Sequence, residues 1–281
     1  MAKGSSGAST GRGDRAGAVP AGVTKLDVLN DRVALSPLAD RAAVDASDGL
    51  ADRRAWAKRM SAQLEGASAE EVIQWGYAEF GRRLSVMTGL GYSGVVMLHA
   101  MLRAVPRVPV YFIDTRKHFA ETLALIDRLE AEWGLKIEVL QTAMSEEEIE
   151  QRIGPEAWKH YPDLCCHLRK VEPLAEVLPR ADAWVSALRR DQATTRAHLG
   201  AVEVDGRGDV KLYPLAGWTR ADCWDYIKRN DLPYNPLHSE GYPSVGCEPC
   251  TRRVKPGEHE RAGRWSGQGK TECGLHRHEP K

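Results

Sequence analysis

Between Leu84 and Asn230 short apolar runs alternate with amphipathic stretches, and this alternation limits the fold more than any other feature of the chain. Leu84-Ser-Val-Met87, Val108–Ile113, Lys136–Leu140, Ala183–Leu188 and Val210–Leu215 have the length and apolar content of strands. Helical patterns fall between them over Val95–Arg103, over Glu121–Trp133, behind the cap Ser145/Glu148, from near Cys165, and over Ala221–Asn230 behind Thr219/Asp222. Upstream, Ser68 and Glu71 form a capping box for a helix over Glu70–Phe80, and a further helix covers Asp52–Leu64. Strands alternating with helices predict an α/β domain with a mostly parallel sheet and helices on both faces. Pro214 lacks the N–H a central ladder needs, so the last strand is expected at an edge or in an antiparallel pairing.

The chain has 281 residues, with 39 Lys and Arg against 39 Asp and Glu, and this balance argues against wholesale binding to nucleic acid or anionic membrane. No apolar run approaches a membrane span, and the N-terminus lacks the apolar core of a secretory signal. The six cysteines are therefore expected as thiols or metal ligands in a reducing, cytoplasmic compartment. Residues 1–23, rich in Gly, Ser, Ala and Arg, read as a disordered tail within an N-terminal extension over 1–60. Residues 61–281 then form a single domain, with a Gly-rich, mobile C-terminal segment over 254–281.

Ligands of such sheets sit at the carboxyl ends of the strands. The turn Thr88-Gly89-Leu-Gly91-Tyr-Ser-Gly94 lies there ahead of a helix, where backbone N–H groups favour a phosphate. Its Gly-x-Gly-x-x-Gly spacing is too common to specify a dinucleotide, so it says phosphate or nucleotide. Asp114-Thr115 closes the second strand, and Arg189-Arg190-Asp191-Gln192 follows the strand 183–188; these arginines can fork onto phosphate or sulfate oxygens.

Four cysteines fall into two pairs, Cys165-Cys166 and Cys247-Glu-Pro-Cys250. Buried thiols, a redox Cys-x-x-Cys or structural zinc are alternatives. Adjacent cysteines fit zinc's usual spacing poorly, and an iron–sulfur cluster accommodates them better because its corners are spread over a larger object. Lys170, one turn past Cys166, is placed to offset the negative charge of such a group while reaching an anionic substrate. Cys223 lies in an amphipathic helix and reads as a packed thiol. Cys273, in Glu272-Cys-Gly-Leu-His276 behind Arg261 and Arg264, is left as a cation-flanked nucleophile, with His276 placed to assist it.

Cys165-Cys166-x-x-Arg169-Lys170-x-Glu172-Pro173-Leu174, Leu188-Arg-Arg-Asp-Gln192, Cys247-x-x-Cys250 and the terminal Glu-Cys-Gly-Leu-His resemble the thioredoxin-dependent, cluster-bearing adenylyl-sulfate (APS) reductases of assimilatory sulfate reduction, in the phosphoadenylyl-sulfate reductase family. The similarity runs from about Glu65 to His276. It implies a Rossmann-like fold of the adenine-nucleotide hydrolase (PP-loop) type and a homo-oligomer. Cys165, Cys166, Cys247 and Cys250 would then hold a 4Fe–4S cluster. Cys273 would attack the sulfur of APS, and a separate thioredoxin or glutaredoxin would release sulfite. Lys170, Arg189, Arg190, Arg261, Arg264 and His276 would hold the phosphosulfate, with Thr88, Gly89, Gly91, Asp114 and Thr115 near the nucleotide.

Two positions depart from the family pattern. The phosphate loop lacks the usual Ser-Phe-Gly-Ala-Glu-Asp, and Arg116 stands where Asp-Thr-Gly is common. Arg116 offers a cation to an extra phosphate, which keeps reduction of the 3′-phosphorylated substrate PAPS as the rival within the class. Outside it stand a tRNA-thiolating PP-loop enzyme and an adenylate-binding iron–sulfur sensor.

Overall fold

A computed structural model describes residues 46–105, 108–273 and 275. The tail 1–23, the rest of the extension up to residue 45, and His276 lie outside the described residues. Helices α1 (Ala46–Gln63) and α2 (Ala69–Phe80) precede β1 (Leu84–Thr88), α3 (Tyr92–Ala104), β2 (Val110–Ile113), α4 (Ala120–Trp133) and β3 (Ile137–Leu140). Then come α5 (Glu146–Ile153), α6 (Ala157–His160), α7 (Pro162–Cys166), a π-helical turn over His167–Val171, and α8 (Glu172–Val177). Strands β4 (Ala183–Val185), β5 (Val202–Val204) and β6 (Val210–Leu212) complete the sheet, and α9 (Arg220–Arg229) follows. The capping boxes read at Ser68/Glu71, Ser145/Glu148 and Thr219/Asp222 are all formed.

The sheet order is β3-β2-β1-β4-β6-β5, parallel except for β5 against β6. Side chains alternate across it, as the strand repeat requires. Val86, Val110, Phe112 and Val185 join a core with α2, α3, α4 and α9, whereas Met87, Tyr111, Ile113 and Trp184 pack with Leu174 and Val177 of α8. Both faces are thus covered. Strand β6 has the expected antiparallel pairing, with β5, but it is internal rather than an edge and runs parallel to β4 on its other side, because Pro214 lies beyond the strand's end and removes no ladder bond. The antiparallel edge strand is β5, a short segment the apolar pattern does not mark.

The packed domain also begins before the boundary at residue 60. Trp56, Ala57 and Met60 of α1 are buried, and the Trp56 ring lies 6.1 Å from Trp75. Deleting residues 46–63 would strip this aromatic cluster, and truncating Trp75 alone typically costs about 3–5 kcal/mol.

The order of strands reverses at the gap between β1 and β4, since the chain runs outward to β2 and β3 on one side and to β6 on the other. The loops after β1 and β4 meet there and leave a crevice at their carboxyl ends.

Candidate active site

A cleft opens at this crevice. Its floor comes from Thr88 at the end of β1, Gly89 and Gly91 beyond it, and Ser186, Ala187 and Leu188 after β4. Lys170, Arg196, Arg261, Arg264, Glu272 and Cys273 line its walls. The glycine turn is shorter than its motif: α3 begins at Tyr92, so Gly94 sits in the first helical turn. A Cβ there would come 2.7 Å from the Thr88 hydroxyl, so this glycine permits close packing of α3 on β1. The Thr88 hydroxyl accepts from the Leu90 N–H at 3.1 Å and holds the turn. Leu90 itself is at a φ of 54°.

The first amide of α3 is engaged. Tyr92 N–H donates to His238 Nε2 at 3.2 Å, and His238 Nδ1 lies 2.8 Å from the Tyr242 carbonyl, which fixes Nδ1 as the donor. Burial pushes His238 down to about 4. An unfolded imidazole takes its proton near pH 6.5, so between those values the unfolded chain binds more protons and stability rises with pH. This contribution, about 3 kcal/mol at most, is complete above pH ~6.5 and lost as pH falls toward 4. Denaturant midpoints measured across that range should show the slope, and His238→Gln should flatten it.

Two cations of the cleft, Lys170 and Arg261, interact with Cys273. Burial works to lower Lys170, but the thiols of Cys247, Cys273 and Cys166 outweigh it and the ammonium is held above its ordinary value. Burial pushes Arg261 down to about 10, with Arg196 adding to this and Glu272 opposing it. Arg261 and Arg264 face the ring of Trp265 at 5.8 and 4.4 Å. The lining sets Lys170, Arg196, Arg261 and Arg264 against Glu260 and Glu272, an excess of positive charge that an anion would relieve. His118 also lines the cleft; Nε2 faces the Ile113 carbonyl at 3.0 Å, so Nδ1, buried and unpartnered, is left as an acceptor.

Several expected contacts lie elsewhere. Arg189 is fully buried beneath the first turn of α3, donates to the Ser93 hydroxyl, and is paired with Asp191 at 2.9 Å and Glu260 at 3.6 Å. Arg190 points away and is bidentate to Glu65 at 2.8 and 2.7 Å. Neither lines the cleft: Arg189 is drawn inward to Asp191 and Glu260, and Arg190 outward to Glu65. Asp114 caps its own turn, accepting from the Arg116 N–H at 2.8 Å and the Gln141 amide at 2.7 Å. Arg116 has a φ of 57°, the region where glycine is at ease, which accounts for the glycine of the family pattern. Its guanidinium is committed to the carbonyls of Met144 and Thr142 at 2.8 and 3.2 Å and does not face the cleft.

Thr115 turns to the cysteines instead: its hydroxyl is 3.2 Å from Cys247 Sγ. Cys165 and Cys166 from α7 and Cys247 and Cys250 from a turn of 3-10 helix line one small enclosed cavity with Arg169, Lys170, Arg264 and Trp265. Burial raises Cys165 and pushes Cys250 up to about 12, and for Cys250 the Cys247 thiol adds to the effect. Burial also opposes ionisation of Cys247, but Lys170, the Thr115 hydroxyl and Arg264 outweigh it and the thiol is lowered. No group of three or more His, Cys, Asp or Glu among the described residues is closed around one metal ion. Four thiols around one cavity, crowded enough to oppose each other's ionisation and flanked by three cations, do fit a multi-atom centre that draws off their protons. Arg169, given no role by sequence reasoning, is nearly buried there; it donates to the Thr115 carbonyl at 3.0 Å and pairs with Glu146 at 2.7 Å.

Lys170, Arg264 and Trp265 line both the cleft and the thiol cavity, so the two sites share a wall. Cys273 packs from the cleft side against the cluster of Cys247, Cys250 and Trp265.

A mostly parallel sheet with a cation-lined crevice at its switch point is the arrangement of a Rossmann-like α/β fold of the PP-loop type. The FMN adenylyltransferase of Candida glabrata shares this fold at a TM-score of 0.50 with 16% identity, covering 73% of this chain and 75% of that one. Residues 83–253 match the phosphoadenosine phosphosulfate reductase domain, and the chain belongs to that family. A protein of Halalkalibacterium halodurans named adenosine 5′-phosphosulfate reductase is 45% identical over 215 residues, 76% of this chain and 93% of its own. Adenosine 5′-phosphosulfate reductase 2 of Bacillus subtilis is 41% identical, with 79% and 95% covered. The crystal structure of the phosphoadenylyl-sulfate reductase of Candida auris superposes at a TM-score of 0.62 with 28% identity, over 75% of this chain and 99% of that one. No helix among the described residues is long and apolar enough to cross a membrane.

Proposed function

We propose that the protein reduces adenosine 5′-phosphosulfate to sulfite and AMP, with Cys273 as the nucleophile and a separate dithiol protein of the thioredoxin type as reductant. The observation that carries this reading is a partly buried Cys273 in a cleft lined by Lys170, Arg196, Arg261 and Arg264. The Cys273 thiolate attacks the sulfur of APS; a sulfur–sulfur bond forms, and the bond from that sulfur to the bridging phosphate oxygen breaks. AMP leaves with the electron pair, and the cations of the wall stabilise the charge growing on its oxygen. A reductant thiolate then attacks the Cys273 sulfur, sulfite departs with the electrons, and the reductant's second thiol resolves the mixed disulfide.

Cys165, Cys166, Cys247 and Cys250 would hold a 4Fe–4S cluster. When bound, that group would supply negative charge behind the shared wall and keep its cations protonated. Lys170 faces both sulfur sites and serves to bind the substrate's sulfonate end. The preference for APS over PAPS is supported by the names of the curated relatives and by the engaged guanidiniums of Arg116, Arg189 and Arg190.

The test is incubation with APS in the absence of any reductant. The tryptic peptide containing Cys273 should gain the mass of SO3, with AMP released in equal amount. An active protein that never carries this adduct would overturn the mechanism.

Gly246 offers a second check. A Cβ there would lie 2.3 Å from the Arg264 guanidinium carbon, the end of a flexible side chain that would swing aside. Gly246→Ala should therefore change stability by no more than about 1 kcal/mol while lowering kcat/KM for APS at least about tenfold.

A further inference from the structure

The residue before the nucleophile is more firmly held than the nucleophile itself. The Glu272 carboxylate, 11% exposed, accepts from Arg196 Nε at 2.8 Å and Nη2 at 2.5 Å. Thr195 adds its hydroxyl at 3.1 Å, and Arg261 Nη2 stands further off at 3.4 Å. Arg196 is itself 6% exposed and donates to the Gln192 side-chain oxygen. Two residues before Glu272, Lys270 donates to the Pro162 carbonyl at 2.9 Å and to Asp163 at 2.8 Å, and its ammonium lies 5.4 Å from the centre of the Trp265 ring. Residues 270–273 are thus fastened on one side to the helix that carries Cys165 and Cys166, and on the other to the loop beyond β4.

The two fastenings differ in kind. Asp163 is about half exposed, so water competes for the Lys270 pair. The Arg196–Glu272 pair is forked and shielded: removing Glu272 leaves the buried Arg196 with only the neutral Gln192 oxygen, and removing Arg196 leaves Glu272 with the longer Arg261 contact and the Thr195 hydroxyl.

We propose that Arg196 is a positioning residue: by gripping Glu272 it docks the Cys273 segment in the cleft and controls how readily the thiol is presented to reagents from solution. That Arg196 holds Cys273 through Glu272 follows from the contacts alone; that this serves turnover rests on the function proposed above. An anion entering the cleft draws on Arg261, whose contact with Glu272 is the longer one, while Arg196 keeps the segment in place. The grip has to be released, or the reductant has to reach in beside it, before Cys273 is approached from outside.

Alkylation of the full chain by iodoacetamide at one pH tests this without any substrate, with the Cys273 peptide followed by mass spectrometry. Arg196→Ala and Glu272→Gln should each raise the labelling rate of Cys273 at least about tenfold. Arg196→Lys, which keeps the charge and loses the fork, should fall between. The exchange Arg196→Glu with Glu272→Arg should return the rate toward that of the parent protein. Cys223, 0% exposed on the buried face of α9, must stay unlabelled in the same samples, which separates release of the segment from unfolding. In steady state Arg196→Ala should lower kcat for sulfite formation more than it alters KM.

Unchanged labelling in both single variants, or a charge exchange no slower than they are, would overturn the proposal. A parent protein that makes no sulfite from APS would instead count against the proposed function, while the labelling comparison still decides the role of Arg196.

Discussion

Cys273→Ser is expected to abolish sulfite formation from APS, with a loss of at least ~10³-fold. A serine hydroxyl is not ionised at neutral pH and has no soft, polarisable anion to offer an electrophilic sulfur. The substitution should leave the cleft otherwise intact, because the anchors of this segment are Lys270 and Glu272 and neither uses the sulfur. Binding of AMP, followed by calorimetry, should therefore persist within about twofold, since none of the cationic groups is altered. The same variant should gain no SO3 when exposed to APS. Residual turnover near the parent rate would remove Cys273 from the chemistry and point to another thiol.

The second large effect is expected at Cys250. Cys250→Ala removes one of four thiols around the enclosed cavity and should strip iron and acid-labile sulfide from anaerobically purified protein, with loss of the visible absorption and of sulfite formation. Three effects are then combined: the ligand set is incomplete, Lys170 and Arg264 lose their counter-charge, and the wall shared with the Cys273 cleft is no longer held. Cys223→Ser is the matched control, because Cys223 is packed in the core on the buried face of α9 and pushed up to about 11 by burial. It should keep its iron. Full activity from colourless, iron-free Cys250→Ala protein would show that the four thiols need no inorganic partner.

Much of the domain is legible in the residues, and the reason is local. Capping boxes at Ser68, Ser145 and Thr219 act within one helical turn, and the apolar runs of β1, β2 and β4 are buried on both faces, so their pattern survives folding. Strand β5 is missed because it is a three-residue edge with one buried position, Val202, and its pairing depends on β6 lying alongside. Helix α1 is read from its periodicity, yet its place in the core is not, because the partners of Trp56 come from α2.

The arginines divide most clearly. Arg189, Arg190 and Arg196 lie within one short stretch beyond β4, and nothing in their spacing separates them. The fold assigns Arg189 to a buried pairing beneath α3, Arg190 to Glu65 on the outside, and Arg196 to the cleft through two turns of 3-10 helix. Which carboxylate claims each guanidinium depends on residues up to 125 positions away.

The sequence by itself determined the parallel α/β framework, the four paired thiols and the isolated Cys273, because periodicity, turn chemistry and the identity of a sulfur are carried by neighbouring residues. The tertiary structure alone decided which cations are left to meet a substrate and what holds the nucleophile. Charge neutralisation is settled by whichever groups the fold brings within hydrogen-bond reach, and that proximity is a property of the packed chain.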